Sequence, residues 1–507
     1  MSNLSTILTR SAQSNPAGIA VKMDDVEISY AAMEAVSRKV AGLLKDRGLL
    51  PGDRVALISP NLPLMPSIYY GILRFGAIVV PLNPLLKSRE IQYHLTDSGA
   101  KLAFAWDGVL GEVGPGAEAV GADVILINAD LMGLLGAVES VDETAEAAPD
   151  DTAVILYTSG TTGRPKGAEL THENLRSNAE CSTALFGARI DDVVFGGLPF
   201  FHVFGQTCAL NSAVMTGCTV TILPKFDPVK ALEIIERDKV TIFEGVPTMY
   251  IALLRARAAG DNRDRFDVSS LRVAASGGSA LPLEVLREFE RTFGATLLEG
   301  YGLSETSPVV CFNQLDGIRK PGSIGTAVRG AQLRVLDEDG HDVEPGTVGE
   351  LAVAGAYVMK GYWNNPEATA AAIPDGWFRT GDLARMDEDQ VFFIVDRKKD
   401  MILRGGYNVY PREVEEVLYE HPAVAEAAVV GRPDDVHGEE IIAVVALKEN
   451  AEGTEDPERL AAQIREFVKD RIAAYKYPRE VLIVDALPKG PTGKILKREI
   501  STAPTSP

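Results

Sequence analysis

The stretch Tyr157-Thr-Ser-Gly-Thr-Thr-Gly-Arg-Pro-Lys-Gly167 lies in the middle of the larger part of the chain and combines glycines, hydroxyl residues and Lys166. The apolar run 153–156 before it predicts a buried strand. Beyond it, Thr171 followed by helix-forming residues predicts the start of a helix. The stretch is therefore expected to connect a strand to a helix.

This composition suits a polyphosphate. Glycines let the backbone come close to phosphate oxygens, hydroxyl and N–H groups donate to them, and a lysine supplies positive charge. The alternative is a flexible surface turn, because Gly, Ser and Thr mark turns generally. A Walker A loop is excluded, because its glycine and lysine spacing does not fit. The residues expected to contact phosphate are Thr158, Ser159, Gly160, Thr161, Thr162, Gly163 and Lys166.

Composition narrows the classes of protein. With 507 residues, the chain is long enough for two or more domains. A net charge of −21 argues against nucleic acid as a partner and against stable docking on an anionic membrane. The four cysteines show no disulfide or zinc spacing and are expected to be buried thiols. We find no signal peptide and no apolar run of about 18 residues, and expect a soluble cytoplasmic protein.

Strand-like and helical segments alternate through most of the chain. Apolar runs at 54–59, 77–82, 102–106, 124–128, 219–223, 241–243, 273–275 and 296–298 predict strands of parallel sheets covered by helices. After residue 320, shorter strands and turns predict a small antiparallel β unit. Residues beyond the charged segment 396–400 predict a compact α+β unit. The expected fold class is α/β: a large N-terminal domain of two α/β subdomains plus a β unit, and a smaller C-terminal α+β domain.

The loop at 157–167 resembles the signature loop of the acyl-adenylate-forming (AMP-binding) superfamily. Five further stretches resemble that superfamily's motifs in the same order, so the resemblance covers nearly the whole chain. They are Leu198-Pro-Phe-Phe-His-Val-Phe-Gly205, Glu299-Gly-Tyr-Gly-Leu-Ser-Glu-Thr306, Trp377-Phe-Arg-Thr-Gly-Asp-Leu383, Asp396-Arg-Lys-Lys-Asp400 and Pro488-Lys-Gly-Pro-Thr-Gly-Lys494. The resemblance implies a two-step reaction, in which a carboxylate attacks the α-phosphorus of ATP and a thiol then attacks the acyl-adenylate.

The resemblance also assigns roles. It makes Lys494, His202 and Glu305 catalytic, with Glu305 as the Mg²⁺ ligand. A lone histidine among aromatic residues is otherwise more often a core residue, and a Gly-Asp turn such as that at Asp382 is more often structural. Asp382 is expected to bind the ribose and Tyr301 to stack near the adenine. The further nucleotide contacts implied are Gly278, Glu299, Gly300, Ser304 and Arg397.

Other implied roles concern the acyl group, CoA and domain motion. The acyl pocket is expected to be formed by Val203, Phe204, Cys208, Val246, Gly277 and Gly302. Gly405, Gly406 and Tyr407 are expected to contact CoA. Lys399 matches the hinge at which the family's C-terminal domain rotates between the two half-reactions. The expected domains are 1–396, which binds the nucleotide and acid, and 397–507, a mobile lid.

The chain looks closest to bacterial medium- or long-chain fatty-acid–CoA ligases, which use ATP, Mg²⁺ and CoA. Gly300 stands where the malonate-activating branch carries an arginine, so malonate is disfavoured. Three alternatives stay open: a 4-coumarate-like aryl–CoA ligase, an enzyme that loads an acyl carrier protein, and a non-catalytic nucleotide-binding or scaffold protein. A homodimer is also among the expectations.

Overall fold

The computed structural model describes residues 2–158, 164–259, 265–434, 436–448, 451–490 and 493–502. In this part of the chain the strands form four sheets, three of them before residue 398. The fold class expected from the sequence is confirmed: a large mixed α/β N-terminal part precedes a smaller C-terminal α+β unit. Most predicted strands are present within two residues of their expected ends.

The first large sheet carries the strand that leads into the signature loop. Across the sheet the strands follow the order Gly361–Tyr362, Lys166–Thr171, Thr152–Thr158, Ile78–Leu82, Arg54–Ile58, Ala100–Trp106 and Asp123–Ile127. The strands from 152–158 to 123–127 are parallel to one another, and the first two are antiparallel to their neighbours. Strands 78–82 and 54–58 are buried along their length, apart from Arg54 at the first position. Such continuous apolar strands are expected where helices cover both faces of a sheet.

One expectation about this sheet is wrong. The signature loop does not lead directly into a helix: Lys166–Thr171 is a strand that pairs antiparallel with Thr152–Thr158. The helix His172–Leu185 follows, and Thr171 caps it by accepting a hydrogen bond from the Asn174 N–H at 3.0 Å. The loop is therefore the connection of a β-hairpin, and Lys166 is held in a paired strand.

The second large sheet presents the acyl and nucleotide motifs. Its order is Thr326–Ala327, Val309–Phe312, Thr296–Gly302, Val273–Ser276, Ile242–Gly245, Val193–Gly196, Thr219–Ile222, Ile19–Met23 and Val26–Ser29. The central strands, from 296–302 to 19–23, are parallel, so the ends of 242–245, 273–276 and 296–302 lie at one edge. This edge is where open α/β sheets bind ligands.

The two smaller sheets follow in sequence. The antiparallel sheet of Ala331–Leu336, Gly349–Gly355, Phe378–Met386 and Phe392–Arg397 is the predicted β unit. The last sheet contains Tyr407–Val409, Ile402–Arg404, Gly438–Leu447, Val424–Asp434 and Glu480–Val484. It has its own apolar core, which is separate from the large core of the preceding domain. The chain passes from one sheet to the next between Arg397 and Ile402.

Helices cover the sheets, and apolar faces at helical spacing explain most of them. The α-helices are Thr6–Ser14, Tyr30–Asp46, Met65–Phe75, Ser88–Ser98, Leu110–Glu118, Leu131–Gly136, His172–Leu185, Ser212–Thr216, Pro228–Asp238, Pro247–Ala258, Leu283–Phe293, Pro366–Ala372, Pro411–Tyr419 and Pro457–Lys469. Gly205–Asn211 forms a π-helix, a rare conformation that is frequent at functional sites. Within the described ranges, no helix combines the length and apolar character needed to cross a bilayer.

Candidate active site

Asp382 lies at the centre of the predicted nucleotide site. The Tyr301 hydroxyl, from the strand Thr296–Gly302, donates to Asp382 Oδ2 at 2.5 Å. Arg397 Nε lies 3.4 Å from Asp382 Oδ1. The carboxylate is 5% exposed, and both of its oxygens are held by side chains from other strands. It is therefore oriented in advance for a ligand that donates hydrogen bonds, such as a pair of ribose hydroxyls.

A second group joins the signature loop to Glu305. Glu305 Oε1 accepts hydrogen bonds from the Thr158 hydroxyl at 3.2 Å and from the Tyr362 hydroxyl at 3.0 Å. Lys166 Nζ lies 5.1 Å from the centre of the Tyr362 ring. Magnesium binds oxygen ligands and usually shares them with phosphate. The Glu305 carboxylate and the Thr158 hydroxyl fit that ion, beside a lysine that can face phosphate.

Lys494, in the C-terminal unit, lies close enough to His202, in the N-terminal part, to affect its titration. Burial, together with Arg397, lowers the pKa of Lys494 to about 8, while Asp382 acts in the opposite direction. Burial and the Lys494 charge lower the pKa of His202 to about 4, so the imidazole is neutral at pH 7. His202 Nδ1 accepts from the Phe204 N–H at 3.3 Å, which leaves Nε2 protonated in the neutral ring.

The loop that carries Lys494 is held by hydrogen bonds, both within the loop and to the N-terminal part. Gly490 N–H donates to the Lys494 carbonyl at 2.8 Å. The Thr248 hydroxyl donates to the Gly493 carbonyl at 3.0 Å. Thr248 lies at the start of the helix Pro247–Ala258, directly after the edge of the second sheet. The residue before Lys494 is thus attached to the start of this helix, and Arg397 and Asp382 are close enough to affect the pKa of Lys494.

The predicted acyl-pocket residues lie along the same edge. Val203, Phe204, Cys208 and Val246 are all buried. A Cβ placed on Gly277 would lie 3.1 Å from the Phe204 ring, so these two residues are in contact. A Cβ placed on Gly302 would lie 1.8 Å from the Pro308 carbonyl oxygen, so only glycine fits there. All six residues are small or apolar, and the buried carboxyl of Glu244 lies close enough to Cys208 to affect its titration.

The remaining nucleotide candidates that the structure describes lie in or after the strands Val273–Ser276 and Thr296–Gly302 of the second large sheet. Gly278 has φ +80° and contacts Val246, and Ser304 begins the short helix Ser304–Thr306. The Glu299 carboxylate is 3% exposed and accepts from the Leu281 N–H at 3.0 Å. Its side chain meets Arg412 of the C-terminal unit, as described below. Ser159, Gly160, Thr161, Thr162 and Gly163 lie outside the described residues.

The predicted hinge and CoA residues lie around the junction with the last sheet. Lys399 is exposed in the turn 398–400. Gly405 and Gly406 form the turn between Ile402–Arg404 and Tyr407–Val409, with φ of +58° and +83°. Tyr407 is exposed, and its ring centre lies 4.9 Å from that of Tyr475. These three CoA candidates therefore lie exposed on the surface of the C-terminal unit.

The sequence reasoning missed three residues that complete the site. Tyr362 links Glu305 to Lys166, Thr248 holds the Lys494 loop, and Arg412 meets Glu299. Each acts through a contact between segments far apart in the chain. A single sequence carries no periodicity or motif that would reveal such contacts.

Comparison with known proteins agrees with this geometry. The family model for AMP-binding enzymes matches residues 8–363, and that for the AMP-binding enzyme C-terminal domain matches 413–494. A long-chain-fatty-acid–CoA ligase of Bacillus subtilis is 39% identical over 98% of this chain and 94% of its own length. An indoleacetate–CoA ligase of Aromatoleum aromaticum is 36% identical over 98% and 97%. The ATP-bound crystal structure of MatB from Rhodopseudomonas palustris superposes with a TM-score of 0.90 at 34% identity, covering 98% of this chain and 97% of that one.

The chain belongs to the AMP-binding enzyme family, as the resemblance of its motifs implies. Within that family it is an acid–thiol ligase that forms acyl- or aryl-CoA. ATP and CoA fit this class as co-substrates.

Proposed function

We propose that the protein activates a medium- or long-chain fatty acid with ATP and transfers the acyl group to CoA. In the first step the carboxylate oxygen attacks the α-phosphorus, and the bond to pyrophosphate breaks. In the second step the CoA sulfur attacks the acyl carbonyl carbon, and AMP leaves. The observation that carries this proposal is the attachment of the Lys494 loop to the predicted acyl pocket: the Thr248 hydroxyl donates to the Gly493 carbonyl at 3.0 Å, and a Cβ placed on Gly493 would lie 3.1 Å from the Val246 side chain. The Lys494 charge also contributes to the low pKa of His202.

Lys494 and His202 have complementary roles in this proposal. The lysine charge stabilises the negative charge that develops between the carboxylate and the α-phosphate, in a site shielded from water. The neutral imidazole, with Nδ1 occupied by the Phe204 N–H, presents an N–H donor to the acid's carboxylate. Neither residue becomes covalently modified, so positioning and electrostatics are sufficient for the reaction.

The nucleotide is oriented by two groups of residues. Asp382, held by Tyr301 and Arg397, accepts hydrogen bonds from the ribose hydroxyls. Glu305 and Thr158 supply oxygen ligands for Mg²⁺, which neutralises phosphate charge when bound. Lys166, on the paired strand of the hairpin, adds positive charge at the same place.

The structure supports an acid with one carboxylate. A Cβ placed on Gly300 would lie 2.0 Å from Cδ2 of Phe312. Phe312 is 2% exposed and packs edge-on against Phe186, so it cannot move aside without disturbing the core. Position 300 therefore has no room for a basic side chain that would pair a second carboxylate.

The two half-reactions need different positions of the C-terminal unit. We assign residues 1–396 and 397–507 to the two domains and Lys399 to the hinge. Rotation there removes Lys494 from the cleft and brings in the surface of Gly405, Gly406 and Tyr407 to contact the pantetheine arm. A homodimer stays a prediction, to be checked by size-exclusion chromatography with light scattering.

The test is pyrophosphate release with ATP and Mg²⁺ over a panel of acids, each with and without CoA. The panel covers saturated acids from acetate to the C18 fatty acid, malonate, benzoate and coumarate. Turnover that peaks between C8 and C18 and requires CoA supports the proposal. A peak on coumarate or benzoate replaces the fatty acid with an aryl acid, and adenylate formation without acceleration by CoA points to a carrier protein as acceptor.

A further inference from the structure

Arg412 contacts three groups of the N-terminal part at once. It lies in the first turn of the helix Pro411–Tyr419, in the C-terminal unit. Its backbone N–H donates to Asp396 Oδ2 at 2.9 Å, and its Nη1 donates to the Ile394 carbonyl at 2.7 Å. Its Nη2 lies 3.8 Å from Glu299 Oε1. One residue therefore connects the lid to two strands of different sheets.

A second residue of the same helix strengthens this connection. Glu416, one turn after Arg412, accepts from the backbone N–H of Leu283 at 3.3 Å. Leu283 is the first residue of the helix Leu283–Phe293 in the N-terminal part. Arg412 Nε lies 3.8 Å from Glu416 Oε1, so the guanidinium lies between a carboxylate of each unit.

The contact between Arg412 and Glu299 is buried. Movement of the lid would therefore leave the Glu299 carboxyl buried without its cation. The Glu299 side chain is 3% exposed and that of Arg412 is 11% exposed. Among the described residues, Arg412 provides the only cation within 4.0 Å of Glu299, and Glu299 Oε2 has no hydrogen-bond donor there. Burial raises the pKa of Glu299 to about 7, and Arg412 opposes that rise. An unpaired charge in such a place is strongly unfavourable.

The same unit carries Lys494. In the described part of the chain, contacts that dock the lid include the Thr248–Gly493 hydrogen bond beside the catalytic lysine and the Arg412 cluster on the first turn of its helix. A rotation about Lys399 would separate Arg412 from Glu299 and Ile394 at the same time as it withdraws Lys494.

We propose that Arg412 is a positioning residue for adenylation: its contacts with Glu299, Ile394 and Asp396 hold the lid in the orientation that places Lys494 in the site. This inference rests on the proposed function, because it needs two half-reactions with different lid positions. Arg412 touches no reacting atom in this role. It acts through Lys494 and is not needed once the acyl-adenylate exists.

The test compares the two half-reactions in Arg412→Ala and Arg412→Lys. Adenylation is measured as ATP–pyrophosphate exchange with the best acid of the panel. Thioester formation is measured from supplied acyl-AMP and CoA. We expect Arg412→Ala to lower the adenylation rate by about 10- to 100-fold, the range that small misplacements of a catalytic group produce. Thioester formation should stay within about twofold, and Arg412→Lys should recover part of the adenylation rate.

Arg432→Ala is the matched control. Arg432 pairs with Glu480 at 2.7 Å inside the C-terminal unit, so its loss removes an ion pair without touching the N-terminal part. In this variant the ratio of the adenylation rate to the thioester-formation rate should equal that of the wild type. Equal loss of both half-reactions in Arg412→Ala and Arg412→Lys, or no loss in either, would overturn the inference. Failure of the wild type to adenylate any acid would instead overturn the proposed function.

Discussion

The Tyr301 hydroxyl donates a 2.5 Å hydrogen bond to Asp382, which lies on a different sheet and is also paired with Arg397. This arrangement fixes the carboxylate before the nucleotide arrives. Since a bond to a charged group contributes about 1.5–3 kcal/mol, Asp382→Ala should weaken ATP binding roughly 10- to 100-fold. Isothermal titration calorimetry with ATP checks this.

Tyr301→Phe provides the comparison for that measurement. It removes the hydroxyl but leaves Arg397 to orient Asp382, so the loss of ATP affinity should be smaller than in Asp382→Ala. An unchanged affinity in Asp382→Ala would remove this residue from the nucleotide site.

Lys494→Ala should abolish most acyl-adenylate formation. Removal of one preorganised group that stabilises transition-state charge lowers a rate by about 10²–10³-fold. Thioester formation from supplied acyl-AMP should be preserved, because the lysine has left the cleft by then. Lys489→Ala, in the same loop but paired with Glu426 at 2.7 Å, is the matched control. Equal loss of both half-reactions would contradict the role.

The adenylation half-reaction should slow as pH rises through about 8. Burial lowers the pKa of Lys494 to about 8, so the side chain is charged below that pH and neutral above it. In the free enzyme, kcat/KM for ATP should therefore fall about tenfold per pH unit above 8. Bound triphosphate favours the charged lysine and so raises its pKa. The decrease in kcat should therefore begin at a higher pH than the decrease in kcat/KM.

The control for this pH profile is Lys494→Arg, which stays charged over the whole range. Its residual kcat/KM should be flat between pH 7 and 9.5. A falling limb that persists in this variant would assign the titration to another group.

Glu305→Gln should make adenylation depend on a higher Mg²⁺ concentration. The amide keeps the size of the side chain but loses the charge that favours a divalent cation. Titration of Mg²⁺ at fixed ATP should show a half-saturating concentration raised by at least about tenfold, with the thioester half-reaction little changed. Tyr362→Phe, which removes one donor to Glu305, should shift the titration less.

Most of the fold follows from local sequence. Runs such as 55–58 and 78–82 are apolar throughout and end at turn residues, so their strands can be predicted from pattern alone. Lys166–Thr171 has a mixed composition, and its strand exists because Thr152–Thr158 offers a free edge. The sequence therefore predicted the helix cap at Thr171 correctly but missed the strand before it, whose formation depends on the partner strand on the other side of the loop.

In the candidate site too, local sequence predicts some residues and misses others. The motifs locate Lys494, Asp382 and Glu305, because each lies in a recognisable stretch. They give no information on Thr248 or Arg412, whose contacts depend on how the C-terminal unit docks. Those partners are fixed by the relative position of two units, which no local pattern encodes.

The contact of Gly300 with Phe312 also constrains how substrate preference can evolve. A basic residue at position 300 collides with a buried ring, so it is deleterious by itself. A smaller residue at position 312 would make room for it, but by itself that change opens a cavity in the core. The two substitutions are therefore epistatic, and the route to dicarboxylic acids passes through a less stable intermediate.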